Sequence, residues 1–170
     1  RYLIPKYLDR FIRSVNIAAH EIVISKLSDF IQKGDNFVQS LAMSSISFFT
    51  PVKNAQLVHP NLQKFFSGLV SRCDTSTAAG FPHFSVSFMR SWGRDSMIAL
   101  RGLFLCTGRF QEAKDQLVAF ASCCRHGLIP NLHDSGMNPR YNARDATWWF
   151  LQALQDYAFM SGEEGDVFKI

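Results

Sequence analysis

Apolar residues recur at helical spacing along most of the chain, and this feature constrains the fold more than any other. Between residues 3 and 31 they repeat at intervals of three and four, which predicts one long amphipathic helix or two consecutive helices that end near Gly34. The same spacing predicts shorter helices over residues 37–49 and 61–72, although the composition of residues 44–49 also fits a strand.

The second half of the chain has clearer helix boundaries. Residues 73–91 are rich in Thr, Ser, Gly and Pro, which predicts an extended loop. Asp95 is placed to cap a helix that runs through Thr107 and stops at Gly108, and another helix is predicted over residues 110–126. These two helices would form a tight hairpin.

The last helix is expected after a long loop over residues 127–141. Asn142 and Asp145, three residues apart, form a capping pair, and the helix is predicted to end at Ser161 and Gly162. The sequence shows no strand pair. It therefore predicts an all-α domain of antiparallel helices joined alternately by short and long loops.

Charge and hydropathy argue against two classes of partner. The formal net charge is +4, but the basic residues are scattered and several stand beside acids, as in the Arg-Asp pairs at 94–95 and 144–145. Such a surface lacks the clustered Lys and Arg that neutralise phosphates, so no nucleic-acid partner is expected. The best apolar run, residues 97–107, contains Arg101 and is too short for a bilayer, so no membrane span is expected.

The four cysteines are Cys73, Cys106, Cys123 and Cys124. They lack the C-x-x-C spacing of a zinc site, and the last three lie in apolar segments, where cysteine packs as a small core residue. The pattern predicts free thiols in a reducing compartment, and we expect a cytoplasmic protein.

Two loop-to-helix junctions concentrate carboxylates, guanidinium groups and indoles. They are residues 91–96 (SWGRDS) and 140–149 (RYNARDATWW). An aromatic face binds the apolar side of a sugar ring, and charged groups satisfy its hydroxyls. Because glycosidic bonds are cleaved by two carboxyl groups, Asp95 and Asp145 are the first candidates. Each junction taken alone is more often a helix cap or a surface ion pair.

Four motifs in order resemble a known family. The sequences SWGRDSMIALRG at 91–102, TGRF at 107–110, HGLIPN at 126–131 and RYNARDATWW at 140–149 are similar in wording and spacing to the C-terminal glucosidase region of the eukaryotic glycogen debranching enzymes. The similarity covers roughly residues 80–165, and four consecutive motifs make chance agreement improbable.

The resemblance implies a fold and an activity. The fold would be part of an (α/α)6 toroid, and the activity an amylo-α-1,6-glucosidase. Such an enzyme hydrolyses the single glucosyl stub at a branch point of glycogen or phosphorylase limit dextrin, with inversion and without metal or cofactor. The family's 4-α-glucanotransferase belongs to a separate N-terminal half that is not in this chain.

The resemblance also implies roles for individual residues. Asp145 corresponds to the general acid, and Arg94 and Asp95 to groups that bind sugar hydroxyls, with Trp92 and Trp148 shaping the pocket. Further substrate-binding candidates in the same motifs are Asn131, Arg140, Tyr141, Asn142 and Arg144.

One physical tension attaches to Asp145. A helix N-terminus lowers a carboxyl pKa, whereas a general acid must keep its proton near neutral pH. In this chain alone, therefore, Asp145 is expected to titrate as a more ordinary aspartate than in a complete domain.

The implied fold bears on the extent of the domain. Twelve helices of about 12 residues with connections of about 6 residues need roughly 200 residues, more than the 170 present. We therefore expect residues 1–170 to form one incomplete domain, with its motif-bearing part at 80–165 and the remainder of a longer polypeptide as its partner. The general base would be a glutamate beyond Ile170.

Two alternatives stay open at this point. Another (α/α)6 glycosidase or phosphorylase acting on α-glucosides would share the Trp-Gly-Arg-Asp motif of residues 92–95. A helical module that binds glycan without cleaving it would need the same aromatic and charged groups.

Overall fold

The computed structural model describes residues 5–52, 57, 75–81 and 83–162. The described part is mainly helical, which confirms the all-α class, whereas the toroid stays a prediction. The helix expected over residues 61–72 lies outside the described residues. The α-helices within the described ranges are α1 (Lys6–Ser25), α2 (Asp29–Gln32), α3 (Asn36–Ser45), α4 (Gly93–Leu100), α5 (Phe110–Ser122) and α6 (Ala146–Ser161).

Two short strands pair across a long stretch of sequence. Strand β1 (Phe49–Pro51) runs antiparallel to β2 (Thr75–Thr77), with Thr50 opposite Ser76. The prediction that no strand pair is present was wrong. Strands of three residues are too short to show the alternation by which a strand is recognised from sequence, and their partner lies outside any local window.

Helix α4 begins before the residue that was expected to cap it. Trp92 occupies the N-cap position, and Asp95 lies inside the first turn. The helix was predicted to run through Thr107, and the observed helical stretch is nearly as long, because the chain continues from Leu100 into a π-helical turn, Arg101–Leu105. In this turn the Cys106 N–H donates to the Arg101 carbonyl at 2.9 Å. Asp95 is therefore not the N-cap residue, and its predicted role as a cap was wrong.

Helix α6 begins at Ala146 and ends where the sequence predicted. Gly162 adopts φ +72°, the left-handed conformation that glycine provides at helix C-termini. The predicted capping pair was wrong, since Asn142 lies in the loop and Asp145, at the N-cap position, caps no N–H group with its side chain. The carboxylate of Asp145 instead binds a residue of another helix.

The main core joins α4, the π-helical turn, α5 and α6. Helix α4 packs against α6, and both contact the residues that follow α4. Burying each large apolar side chain contributes about 1.5–3 kcal/mol. The core therefore fixes the N-terminal ends of α4 and α6 beside each other. Its fully or nearly fully buried large side chains include Leu100, Phe104, Leu105, Leu117, Phe120, Phe150 and Tyr157.

Helix α1 carries the long apolar stripe seen in the sequence but buries none of it among the described residues. The break between α1 and α2 is tied to the rest of the chain by Ser28, whose hydroxyl donates to the Cys106 carbonyl at 2.7 Å and whose N–H donates to the Thr107 carbonyl at 3.0 Å. A small second core forms nearby from Leu27, Ile31 and Ala42. No helix in the described ranges has the length and apolar character needed to cross a membrane.

Two polar side chains link neighbouring elements of the main core. The Arg101 guanidinium lies 3.6 Å from the Asp156 carboxylate. The His133 Nε2 lies 3.2 Å from the Ala119 carbonyl. Cys106, Cys123 and Cys124 are free thiols, as predicted. Cys123 is buried and Cys106 half-buried, but Cys124 is exposed, so the prediction that it packs in the core was wrong.

Candidate active site

The two predicted junctions meet through one ion pair. The Arg94 guanidinium binds the Asp145 carboxylate in a bidentate manner, with Nε 3.0 and 2.9 Å from the two carboxylate oxygens and Nη2 2.6 Å from Oδ1. Both side chains are 44% exposed, so the pair lies at a surface and is open to a ligand. Two motifs that are 51 residues apart in the sequence thus form one site.

Gly93 allows a loop to approach the start of α4. The Gly93 N–H donates to the Asn131 carbonyl at 2.6 Å, and a Cβ on Gly93 would lie 2.3 Å from the Pro130 carbonyl oxygen. A Cβ does not fit that space, so the residue before Arg94 must be glycine. The Asn131 side chain reinforces the contact, since its Oδ1 accepts from the Arg94 N–H at 3.4 Å.

Three segments lie side by side behind the ion pair. Trp92 forms an antiparallel bridge with Leu132, and Leu132 forms another with Arg140. The Asn131 N–H donates to the Arg140 carbonyl at 2.8 Å, and the His133 N–H donates to the Ser91 carbonyl at 3.0 Å. The long loop is therefore held against the start of α4 by backbone hydrogen bonds.

The charge state of Asp145 follows from its partners. Hydrogen bonds from Arg94 are the main cause that holds the pKa of Asp145 below its ordinary value, and the Trp149 indole adds a weaker hydrogen bond at 3.4 Å. In return, Asp145 raises the pKa of Arg94. The sequence led us to expect a more ordinary aspartate than in a complete domain, a comparison that stays a prediction; in this chain the pKa lies below the ordinary value, chiefly because of Arg94. In this state Asp145 is a carboxylate and has no proton to donate.

The other predicted substrate-binding residues differ in position. Trp92 is half-buried, and its indole N–H donates to the Met89 carbonyl at 2.7 Å. Trp148 is 69% exposed at the start of α6. Asn131 is buried behind Arg94, whereas Asp95 lies exposed beside it. The exposed predicted residues along the loop and the start of α6 are Arg140, Asn142 and Arg144.

Tyr141 lines an open surface depression of about 320 Å³. Its hydroxyl donates to the Cys123 carbonyl at 2.6 Å, which ties the loop to the end of α5. Arg125 and Met137 line the same depression. Arg94 and Asp145 do not line it, so Tyr141 lies outside the cluster built on the ion pair.

Sequence reasoning missed three residues that shape the site. Trp149 bonds to Asp145 one helical turn away, a spacing that offered a signal. The Thr147 hydroxyl accepts from the Ile129 N–H at 3.0 Å and fixes the loop to α6. Arg90 lies two residues before Trp92 and is 2% exposed, yet no pattern marks an isolated loop arginine as buried.

Comparison with known proteins shows the family of the chain. The profile of the amylo-alpha-1,6-glucosidase family matches residues 8–169. The glycogen debranching enzyme of Saccharomyces cerevisiae (strain ATCC 204508 / S288c) is 47% identical over 159 residues, which is 94% of this chain. The chain spans about a tenth of that relative, since the match covers 10% of its length. The chain belongs to the amylo-alpha-1,6-glucosidase family.

Proposed function

We propose that this chain supplies the general acid and part of the sugar-binding site of an inverting amylo-α-1,6-glucosidase that acts on the branch-point glucosyl stub of glycogen or limit dextrin. The observation that carries the proposal is the open ion pair of Arg94 with Asp145, to which the Trp149 indole adds a hydrogen bond. A carboxyl group, a guanidinium and an indole in one exposed place are groups that a glucosidase requires.

In the proposed reaction the bond between the anomeric carbon and the glycosidic oxygen breaks. The protonated Asp145 gives its proton to the leaving oxygen, while a water molecule attacks the anomeric carbon from the opposite face. A second carboxylate removes the proton of that water, and inverting enzymes keep roughly 6.5–9.5 Å between the two carboxyl groups for this purpose. We place that general base, a glutamate, outside this chain.

The ion pair imposes an order of events on this mechanism. While Arg94 donates two hydrogen bonds to Asp145, the carboxylate is stabilised in its charged form. Sugar hydroxyls offer Arg94 other acceptors, so substrate binding turns the guanidinium from Asp145 to the sugar. Asp145 then takes up a proton from solvent before the sugar and the indoles exclude water, and becomes competent as an acid.

We also propose that the helices belong to an (α/α)6 toroid in a cytoplasmic protein. The apolar faces of α1 and α6 support this fold, because Phe11 and Phe159 are 65% and 79% exposed. In a toroid such faces pack against neighbouring helices.

One observation favours a second candidate, a module that binds glycan without hydrolysing it. The bidentate contact with Arg94 keeps Asp145 ionised. An ionised carboxylate still accepts hydrogen bonds from sugar hydroxyls, so the same pair would bind a glucan and leave its bonds intact.

Replacement of Asp145 by Asn in the full-length protein distinguishes the two candidates. An amide cannot donate an acid proton at the needed strength, so glucose release from limit dextrin should fall by about 10²- to 10⁴-fold while glucan binding is retained. Asp29→Asn is the matched control, because this exposed carboxylate pairs with Lys33 one turn away and lies on a different helix from Asp145. Unchanged glucose release from the Asp145 variant would refute the assignment of Asp145 as the general acid.

A further inference from the structure

An exposed aromatic ring lies outside the groups assigned so far. Phe88 sits in a short 3-10 turn, Ser87–Met89, and its side chain is 43% exposed. The guanidinium of Arg140 lies over this ring, 5.9 Å from its centroid. An exposed ring beside a guanidinium combines an aromatic face with a hydrogen-bond donor, as a sugar-binding site requires.

Backbone contacts connect this ring to the candidate active site. The Arg140 backbone bridges to Leu132, which bridges in turn to Trp92 at the N-cap of α4. On the other side of the turn, Phe84 packs edge-on against the Trp92 indole, with ring centroids 5.8 Å apart. Phe88 and Arg140 therefore stand on the same framework that positions Arg94.

The framework also holds the ring in a defined place. The turn that carries Phe88 packs against a second 3-10 turn, Asp134–Gly136. Arg90 anchors the end of the Phe88 turn, because its buried guanidinium donates to the Ser76 hydroxyl and carbonyl, both at 2.7 Å. A ring that is fixed by packing loses little freedom when a ligand stacks on it.

We propose that Phe88 and Arg140 form a second glucosyl-binding subsite, which holds a unit of the α-glucan chain next to the glucose bound at Arg94 and Asp145. This inference rests on the proposed function. The apolar C–H face of a glucose ring packs on the exposed part of Phe88, and Arg140 donates hydrogen bonds to its hydroxyls. The Arg140 segment is paired, through Leu132, with the Trp92 segment that precedes Arg94. The ligand of this subsite is therefore a neutral glucan chain, because such a chain extends from the sugar bound in the first site.

Glucan binding by the full-length protein tests the proposal. The probes are maltoheptaose and glucose, each measured by titration calorimetry. Phe88→Ala should weaken maltoheptaose binding by about 5- to 10-fold, in line with the loss of one stacking contact. It should leave glucose binding unchanged, and Phe88→Trp should restore maltoheptaose binding. Phe159→Ala is the control, since that ring is 79% exposed near the end of α6.

The other outcomes distinguish failure of the second subsite from failure of the first site. Arg94→Ala reports on the first site, because it removes the guanidinium proposed to hold the terminal glucose. If Arg94→Ala weakens binding of both sugars while Phe88→Ala changes neither, the second subsite is refuted and the proposed function stands. If Arg94→Ala leaves both affinities unchanged, the proposed sugar site itself is refuted. Equal loss of glucose and maltoheptaose affinity in Phe88→Ala would place the ring in the first site and overturn the proposal.

Discussion

Arg94 and Asp145 close a contact between the starts of α4 and α6, with the Arg94 Nη2 2.6 Å from the Asp145 Oδ1. The ion pair joins the residue proposed to bind sugar hydroxyls to the residue proposed to donate the proton. Because the pair is solvent-exposed, it adds little to stability. Its consequence is chemical, since the charge state of Asp145 depends on where the Arg94 guanidinium points.

Removal of the guanidinium should raise the pKa of Asp145. Arg94→Gln takes away the hydrogen bonds that are the main cause of the depressed value. Carboxyl-carbon NMR of Asp145 should then show a midpoint closer to that of an ordinary aspartate. Arg101→Gln is the matched control, because its partner is Asp156 and it should leave the midpoint of Asp145 in place.

The same pKa gives a sign for the pH dependence of stability. A folded-state pKa below the unfolded value means that the contribution of Asp145 is fully present above the unfolded pKa and is lost as pH falls through the folded one. As pH is lowered, the free energy of unfolding of Arg94→Gln should therefore fall less than that of the unsubstituted protein. Denaturant titrations of both proteins at neutral and acidic pH measure it, and an acid destabilisation that is larger in the variant contradicts the assignment.

Gly93→Ala should displace the loop that positions Asn131. The new Cβ would meet the Pro130 carbonyl at 2.3 Å, a backbone atom that cannot rotate away. We expect a loss of about 1–3 kcal/mol in the free energy of unfolding, the usual cost of overpacking. Urea denaturation measures the change. Gly102→Ala is the control, since nothing lies within 4 Å of a Cβ there, and equal effects of both substitutions would contradict the packing argument.

Arg90→Met should loosen the strand pair. The Arg90 side chain donates to Ser76 and to the carbonyls of Ser85 and Phe48, and its loss leaves these acceptors without that donor. Burial lowers the pKa of Arg90, which marks the guanidinium as poorly hydrated. We expect a loss of about 2–4 kcal/mol from several broken hydrogen bonds.

Hydrogen exchange at residues 75–77 checks this expectation. Protection of the β2 amides should fall in Arg90→Met, because the guanidinium links β2 to the turn before Trp92. Arg13→Met is a control on the exposed surface of α1, where the arginine pairs with Asp9. Unchanged protection in Arg90→Met would show that backbone pairing alone holds the strands.

The sequence predicted what depends on local pattern. Helical spacing located the helices that the structure describes, and glycines marked ends such as Gly162. The motifs also identified Arg94 and Asp145, because a resemblance over four motifs carries spatial information that one motif lacks. The motifs did not predict that Arg94 and Asp145 bind each other.

Long-range hydrogen bonding accounts for what the sequence left out. The carboxylates of Asp95 and Asp145 have the usual chemistry of helix caps, yet Asp145 binds Arg94 from another helix. The buried Arg90 links the segments of β1 and β2 through acceptors that lie up to 42 residues away. No local window contains these partners, so propensity alone favoured caps and loops.

Release of Asp145 from Arg94 by substrate should appear in the pH dependence of catalysis. In the full-length protein, kcat/KM reports the acid in the free enzyme, and kcat reports it in the substrate complex. Activity declines as pH rises through the pKa of the general acid, so this decline should lie at higher pH for kcat than for kcat/KM. Arg94→Gln should bring the two declines together. Coincident declines in the unsubstituted protein would contradict the release of Asp145 by substrate.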